Sequence, residues 1–310
     1  MEQASIMVVE DEFIVAEGLK TALAGMGYAV AKTAGSSEEA LSTVGECAPD
    51  LILMDIVLEG SEIDGVETAR RIRAGYDIPV IFVTAYADDE TLERARKAGP
   101  SAYILKPFNE RELYSAIELA LHGHRAAEDE KRRTAILHAA GFAVEWFLRY
   151  LRDSRRAGEN PERLWNKGVV EILDQIRLAV DAHSVTVFAL SPGPGGTGSA
   201  AARFSSAGLG ASGTGAYGGT GTDDLRFTTP LWWTLLAAGN VIAGEVRMLP
   251  EEERRYFKGR GIASVAILPI VRDSGLWGCI MYADAEAREW TDGEIEALML
   301  VGDIIGAMVD

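Results

Sequence analysis

The first 121 residues alternate short apolar runs with longer segments whose apolar positions recur every three or four residues. Short runs rich in β-branched residues are typical of strands buried on both faces, and the periodic segments are typical of helices packed on a sheet. The pattern therefore predicts five strand–helix units that form a parallel sheet wrapped by helices. The predicted strands are residues 6–9, 29–33, 51–54, 80–84 and 102–105.

The middle of the chain has a helical pattern. Between Asn109 and Tyr150 there is no proline, which predicts a long helix or helix pair, with Gly123 and Gly141 as candidate breaks. A second helix is predicted from Pro161 to about residue 182, and a strand at 185–190 follows it. Residues 191–222 hold 11 glycines, so we interpret them as a flexible segment.

The end of the chain predicts a β-hairpin and a final helix. Residues 265–271 and 277–283 are apolar runs joined by turn residues, the pattern of two antiparallel strands. Thr291 is a candidate N-cap for the last helix, because Glu294 follows three residues later and completes a capping box.

Composition limits the function. A chain of 310 residues that is 48% hydrophobic and 25% charged can bury two cores of ordinary size. No apolar run approaches the roughly 20 residues that a membrane helix needs, and residues 1–5 lack the features of a signal peptide. Cys47 and Cys279 match neither a metal-ligand spacing nor a paired redox motif. We therefore expect a cytoplasmic protein without membrane contact.

The charge is strongly acidic. The formal net charge is −17, and residues 1–121 hold 22 acidic against 10 basic side chains, which leaves −12 on that part alone. An acidic surface repels the phosphate backbone of nucleic acids. We therefore expect no nucleic-acid partner.

Reactive residues stand where four of the predicted parallel strands end. Glu10 and Asp11 follow the first strand, Asp55 follows the third, Thr84 ends the fourth and Lys106 follows the fifth. In an open parallel sheet, the carboxyl ends of the strands meet at one crevice. Like carboxylates about 4 Å apart repel by on the order of 4 kcal/mol per pair at an effective dielectric near 20. A divalent cation bound among them would relieve this repulsion.

Four motifs carry a family resemblance. They are VVEDE at 8–12, LILMDI at 51–56, VTAYAD at 83–88 and YILKPF at 103–108, and through them residues 5–121 resemble the response regulator receiver family. The resemblance implies a doubly wound, flavodoxin-like (βα)5 sheet with strand order 2-1-3-4-5. It also implies that a sensor histidine kinase phosphorylates Asp55.

The same resemblance assigns the remaining site residues. It implies that Mg2+ is the cofactor and that Lys106 neutralises charge on the transferring oxygens. It makes Thr84 and Tyr103 the switch, in which the hydroxyl binds a phosphoryl oxygen and the aromatic ring swings inward behind it. The implied Mg2+ ligands are Glu10, Asp11, Asp55 and the backbone carbonyl of Val57.

Two departures from the family pattern bear on the rates of phosphorylation and dephosphorylation of Asp55. The segment from residue 56 to Gly65 is about two residues longer than usual and lacks the common proline. Tyr86 places a bulky ring where a hydrolytic water would approach Asp55. We therefore predict a long-lived phosphoryl group, which Tyr86→Ala should shorten.

Residues 140–310 resemble a GAF domain, an α+β fold with an antiparallel sheet. The strongest match runs through RGIASVAILPIVRDSGLWGCIMYADAEAREWTDGEIEAL at 260–298. A GAF domain often binds a small molecule, so we name a candidate pocket. Core packing is an alternative role for the same aromatic residues. The pocket candidates are Trp232, Trp233, Trp277 and Tyr282.

The resulting hypothesis is a non-enzymatic response regulator. It has a receiver domain at 1–121, a helical linker at 122–139 and a GAF domain at 140–310 that acts as output or second sensor. The apolar stripe of the linker suggests a parallel homodimer. Three alternatives stay open: the GAF domain is a protein-docking module, it senses a metabolite or cyclic nucleotide, or the chain is a fragment of a hybrid kinase.

Overall fold

A computed structural model describes residues 3–85, 89–153, 161–193, 198–207, 225–227, 230–258, 260–272 and 275–308. The chain divides into two compact units, Met1–Glu128 and Asp129–Asp310. The domain limits expected from the sequence stay a prediction: a receiver domain at 1–121, a linker at 122–139 and a GAF domain at 140–310.

The first unit is built on a parallel sheet of five strands in the order β2-β1-β3-β4-β5, which confirms the predicted doubly wound fold. The central strands are apolar throughout and buried on both faces, as the run Leu51–Met54 illustrates. The strands are β1 Ser5–Val9, β2 Ala29–Ala34, β3 Leu51–Met54, β4 Val80–Thr84 and β5 Ala102–Leu105.

Helices cover both faces of this sheet and bury one apolar cluster against each. Two of them begin at side-chain caps: Ser36 accepts a hydrogen bond from the Glu39 amide, and Asp64 accepts one from the Glu67 amide. The helices are α1 Phe13–Gly25, α2 Ser37–Cys47, α3 Gly65–Gly75, α4 Asp89–Lys97 and α5 Glu110–Asp153.

Helix α5 is one uninterrupted helix of 44 residues, which confirms a helical linker between the two sheets. It passes through both Gly123 and Gly141, the candidate breaks. A glycine inside a helix costs only about 1 kcal/mol, and packing on either side outweighs that cost. The early part of α5 buries Ile117 in the core of the first unit, and its later part buries Ile136 and Ala143 in the core of the second.

The second unit is built on an antiparallel sheet of six strands in the order β8-β7-β6-β11-β10-β9, which confirms the predicted α+β class. The predicted hairpin is present as β10 paired with β11, and its turn residues 273–274 lie outside the described residues. The strands are β6 Ser184–Pro192, β7 Gly198–Ala207, β8 Leu225–Phe227, β9 Ile242–Glu245, β10 Ser264–Arg272 and β11 Gly275–Asp284.

Part of the glycine-rich segment is ordered, so the prediction of a flexible segment over 191–222 is wrong for Gly198–Ala207. These residues form β7, which pairs antiparallel with β6 along its length. Ala200 is buried, and the hydroxyls of Thr186 and Ser205 share a buried hydrogen bond of 3.1 Å. Strand β7 forms through this pairing with β6 although its own β propensity is low. Residues 194–197 and 208–222 lie outside the described part of the chain.

Helices cover both faces of this second sheet too. The last helix begins as predicted, because the Glu294 amide donates to Thr291 Oγ1 at 3.3 Å and the Thr291 amide donates to Glu294 Oε2 at 3.0 Å. Among the described helices none is both long and apolar enough to cross a membrane. The helices are α6 Pro161–Ala179, α7 Pro230–Ala237, α8 Glu251–Lys258 and α9 Asp292–Met308, with a 3-10 turn at Val246–Met248.

Candidate functional site

Three carboxylates meet at the carboxyl edge of the parallel sheet. Glu10 and Asp11 directly follow β1, and Asp55 directly follows β3, its neighbour in the sheet. One oxygen from each of the three lies within 4.8 Å of the others. Glu10 and Asp55 are buried, so their charges are poorly solvated. The structure thus brings together the three side chains that the sequence selected as metal ligands.

Lys106 joins this cluster from the end of β5. Its Nζ donates to Asp55 Oδ2 at 2.5 Å and to Glu10 Oε2 at 2.6 Å. Its backbone amide donates to the Thr84 carbonyl at 2.8 Å, which holds the residue against β4. One ammonium group therefore bridges two of the three carboxylates.

Burial and hydrogen bonding shift the pKa values of Glu10 and Lys106. Burial raises the pKa of Glu10 above its ordinary value, against the opposing effect of the Lys106 hydrogen bond. Burial alone would lower the pKa of Lys106, but the hydrogen bonds and charges of Asp55 and Glu10 outweigh it, so that pKa is raised. Lys106 is therefore a permanent cation at neutral pH.

The donor set fits a hard divalent cation. Mg2+ prefers oxygen ligands, and a carboxylate from each of Glu10, Asp11 and Asp55 supplies them. Glu10 uses Oε2 for Lys106, while its Oε1 is buried and makes no hydrogen bond to any residue that the structure describes. A buried carboxylate oxygen without a donor is costly, and a cation at this place would remove that cost.

The loop between β3 and α3 supplies backbone donors to the cluster. The Val57 amide donates to Asp55 Oδ1 at 3.0 Å, and the Glu59 amide donates to Asp11 Oδ2 at 3.3 Å. Farther along, the Glu62 amide donates to Glu38 Oε1 at 2.9 Å, and this bond is the largest cause of a pKa for Glu38 lowered to about 2. The longer loop is thus attached to the residues that follow β1 and to α2. The role of the Val57 carbonyl stays a prediction.

Gly65, the first residue of α3, packs against the backbone of Asp55. A Cβ atom added at Gly65 would lie 1.8 Å from the Asp55 carbonyl oxygen and 3.1 Å from the Ile56 Cα. The Gly65 amide also donates to the Ile56 carbonyl at 2.8 Å. Only glycine allows this approach, so Gly65 positions the strand end that carries Asp55. This role of Gly65 was not predicted from the sequence, where the Asp64–Gly65 pair directly before an amphipathic helix is the signal for it.

The two predicted switch residues lie on neighbouring strands. Thr84 is fully buried at the end of β4. Tyr103 is half-buried on β5, pairs in register with Phe82 and packs against the apolar cluster beneath the site. Their switching role stays a prediction. Tyr86 lies outside the described residues, so the predicted slow hydrolysis is also a prediction still.

The structure does not bring the four candidate pocket residues of the second unit together. Trp232 is buried in the cluster on one face of the antiparallel sheet, and the ring of Trp233, its neighbour in α7, lies over Gly198 of β7. Tyr282 is fully buried in the cluster on the opposite face, and Trp277 packs against that same cluster. The sheet separates the two pairs, so these residues line no common pocket.

A β-bulge explains the position of Trp277. Cys279 and Tyr282 face opposite sides of β11, as alternation along a strand requires. The pairing with β10 passes from Gly278 to Leu276 and skips Trp277, which shifts the alternation by one residue. Burial of Cys279 also raises the pKa of its thiol to about 12, so it is an unreactive packing residue at neutral pH.

Comparison with known proteins agrees with these two units. A response regulator receiver domain model matches residues 6–118, and a GAF domain model matches residues 170–309. The transcriptional regulatory protein PdtaR of Mycobacterium tuberculosis (strain CDC 1551 / Oshkosh) is 34% identical over 120 residues, which are 39% of this chain and 58% of that protein. The transcriptional regulatory protein AfsQ1 of Streptomyces coelicolor is 36% identical over 126 residues, which are 40% of this chain and 55% of that protein.

Among solved structures, the chain is similar to the signal receiver domain of a modulated diguanylate cyclase from Desulfovibrio desulfuricans G20. The two are 36% identical, the match covers 41% of this chain and 99% of that one, and the TM-score is 0.39.

The fold and the acidic edge define a signalling receiver attached to a second regulatory module. The chain carries a response regulator receiver domain followed by a GAF domain, as its sequence predicted. It spans between half and two thirds of the length of the two curated relatives, and the match lies in the receiver part.

Proposed function

We propose that this chain is a two-component response regulator that accepts a phosphoryl group on Asp55 from a sensor histidine kinase. The observation that carries the proposal is the cluster at the carboxyl edge of the parallel sheet. There one carboxylate oxygen from each of Glu10, Asp11 and Asp55 lies within 4.8 Å of the other two. The Lys106 ammonium bridges Glu10 and Asp55.

Asp55 is the nucleophile in this proposal. One of its carboxylate oxygens forms a bond to phosphorus while the bond between phosphorus and the histidine nitrogen of the kinase breaks, which gives an acyl phosphate. Glu10, Asp11, Asp55 and the Val57 carbonyl would hold Mg2+. When bound, the ion neutralises carboxylate charge and stabilises the phosphoryl oxygens.

Lys106 holds positive charge where negative charge develops during transfer. Its ammonium already lies 2.5 Å from Asp55 Oδ2, so little reorganisation is needed to contact a phosphoryl group on that carboxylate. Thr84 then donates its hydroxyl to a phosphoryl oxygen, and Tyr103 follows it inward. These movements bias the receiver between two states.

The phosphorylation state passes along α5 to the GAF domain, which acts as output or second sensor in a regulatory, non-enzymatic protein. The support is that α5 contributes buried side chains to the core of the second unit. Arg132 on this helix also pairs with the buried Glu294 of α9, with 3.9 Å between Nη1 and Oε1. The net charge of −17 favours a protein partner over DNA, and a second copy of the chain completes the proposed assembly.

Phosphorylation with acetyl phosphate or phosphoramidate in the presence of Mg2+ tests the proposal. Intact mass spectrometry should show the gain of one phosphoryl group by the wild type and none by Asp55→Asn. The matched control is Asp50→Asn, which removes a carboxylate at the amino end of the same strand, where it bonds Ser5, and should leave the gain intact. Modification of Asp55→Asn, or none of the wild type with either donor, would contradict the proposed phosphoacceptor.

A further inference from the structure

The first turn of α2 holds the loop between β3 and α3 through two adjacent contacts. The Glu62 amide donates to Glu38 Oε1 at 2.9 Å, and the Ser37 hydroxyl donates to the same oxygen at 2.9 Å. Beside it, the Ser37 amide donates to Ser61 Oγ at 3.1 Å. Ser37 is fully buried, so these bonds attach the loop to a fixed point at the start of α2.

A tight turn connects this attachment to the acidic edge of the sheet. The Ser61 amide donates to the Leu58 carbonyl at 3.3 Å and closes the turn. Gly60 has a φ of 78°, in the left-handed region that glycine enters without strain. The Glu59 amide, which donates to the acidic edge, lies inside the turn, and Glu62 directly follows the turn. Fixing Glu62 therefore also restricts where the Glu59 amide can point.

The Glu38 carboxylate is a strong acceptor for the loop. The Glu62 amide, with further donors at the start of α2, lowers the pKa of Glu38 to about 2, so the group is an anion at neutral pH. Hydrogen bonds to an ionised acceptor are roughly twice as strong as those between neutral groups. The Glu38 side chain is exposed, so burial of the residue does not account for this contact.

We infer that Glu38 is a positioning residue for the phosphorylation site. By holding the loop, it directs the Glu59 amide toward Asp11 and the Val57 backbone toward Asp55. A loop longer than is usual in receiver domains loses more conformational entropy when it is fixed, and the attachment to α2 offsets that cost. The inference rests on the proposed Mg2+ site and deepens it, since the loop then holds Asp11 and the Val57 carbonyl in place before the ion binds.

Hydrogen–deuterium exchange of the metal-free full chain, resolved to single amides, tests the positioning directly. Glu38→Ala should speed exchange at the Glu59 and Glu62 amides by about 10-fold, because the acceptor that holds the loop is gone. Glu38→Gln keeps a carbonyl oxygen at that place and should restore most of the protection. The pair of variants thus separates the hydrogen bond from the charge.

Isothermal titration calorimetry with Mg2+ measures the consequence for the site. Glu38→Ala should bind Mg2+ about 10-fold more weakly than the wild type, the usual loss when a group that orients metal ligands is removed. Glu38→Gln should restore most of the affinity. The matched control is Glu39→Ala, because the Glu39 carboxylate pairs with Lys32 at 2.9 Å and accepts from the Gly35 amide at 3.0 Å, neither of which belongs to the loop. It should leave loop exchange and Mg2+ affinity unchanged.

The outcomes separate the positioning role from the proposed function. Unchanged exchange at the Glu59 amide in Glu38→Ala overturns the role of Glu38 and leaves phosphorylation of Asp55 untouched. Equal weakening of Mg2+ binding by Glu38→Ala, Glu38→Gln and Glu39→Ala overturns it as well, since the loss of charge alone would then be the cause. A wild type that binds no Mg2+ overturns the proposed cofactor together with this role.

Discussion

The parallel sheet gathers its polar side chains at one edge, whereas the antiparallel sheet distributes its aromatic side chains over two faces. Residues that follow β1, β3 and β5 meet because all strands of the parallel sheet point the same way. In the antiparallel sheet, the side a residue faces depends on its parity along the strand and on any bulge before it. Position in the sequence therefore locates a site far more reliably in the first unit than in the second.

The largest effect is expected from a substitution that disrupts the charged cluster at the carboxyl edge of the parallel sheet. Lys106→Ala removes the cation that bridges Glu10 and Asp55, and should slow phosphorylation by acetyl phosphate by about 100-fold. The rate of mass gain measures it. Lys20→Ala is the control, because Lys20 is an exposed lysine of α1 that pairs with Glu17, away from the cluster. Equal rates for the two variants would mean that convergence at this edge has no chemical role.

A smaller effect should follow from disturbing the backbone behind Asp55. Gly65→Ala would force its Cβ into the Asp55 carbonyl, so we expect a loss of about 1–3 kcal/mol in the free energy of unfolding and slower phosphorylation. Urea denaturation provides the measurement.

Gly18→Ala is the matched substitution, because a Cβ at Gly18 inside α1 would have no atom within 4 Å. It should gain about 0.5–1 kcal/mol, since alanine is the better helix former. If both variants shift stability in the same direction, the close approach at Gly65 does not constrain the site.

The smallest effect is expected at Tyr282, and it tests whether the buried cluster around that residue is a hydrophobic core without a bound molecule. Its hydroxyl is fully buried and has no hydrogen-bond partner among the described residues, so Tyr282→Phe should raise stability by about 1 kcal/mol. Tyr28→Phe in the other unit should lower it by about 1 kcal/mol, because the Tyr28 hydroxyl donates to Glu118 at 2.5 Å. Destabilisation by Tyr282→Phe would instead indicate a bound molecule or water at that hydroxyl.

Most of the receiver fold could be predicted from the sequence because its information is local. Five short apolar runs became five strands in the expected order, and the residues after them met at one edge. The contacts of Gly65 and the backbone donors of the loop were not predictable, since they depend on how the chain folds back on itself. A backbone amide leaves no mark in the amino-acid sequence.

The second unit was less predictable for two physical reasons. Strand β7 consists largely of alanine, serine and glycine, whose strand propensity is low, and forms because β6 pairs with it. The bulge at Trp277 depends on register, which no single strand reveals. Parity counted along β11 alone would therefore assign Trp277 to the wrong side of the sheet.

The attachment of the β3–α3 loop also determines which mutations it tolerates. Asp11 and Glu38 receive their hydrogen bonds from the amides of Glu59 and Glu62, so the side chains at 59 and 62 are not needed for these contacts. Any residue that keeps an amide hydrogen can stand there, and proline is the one type that cannot. The absence of proline at these two positions is thus a chemical requirement of the two contacts, which place no demand on the side chains at 59 and 62.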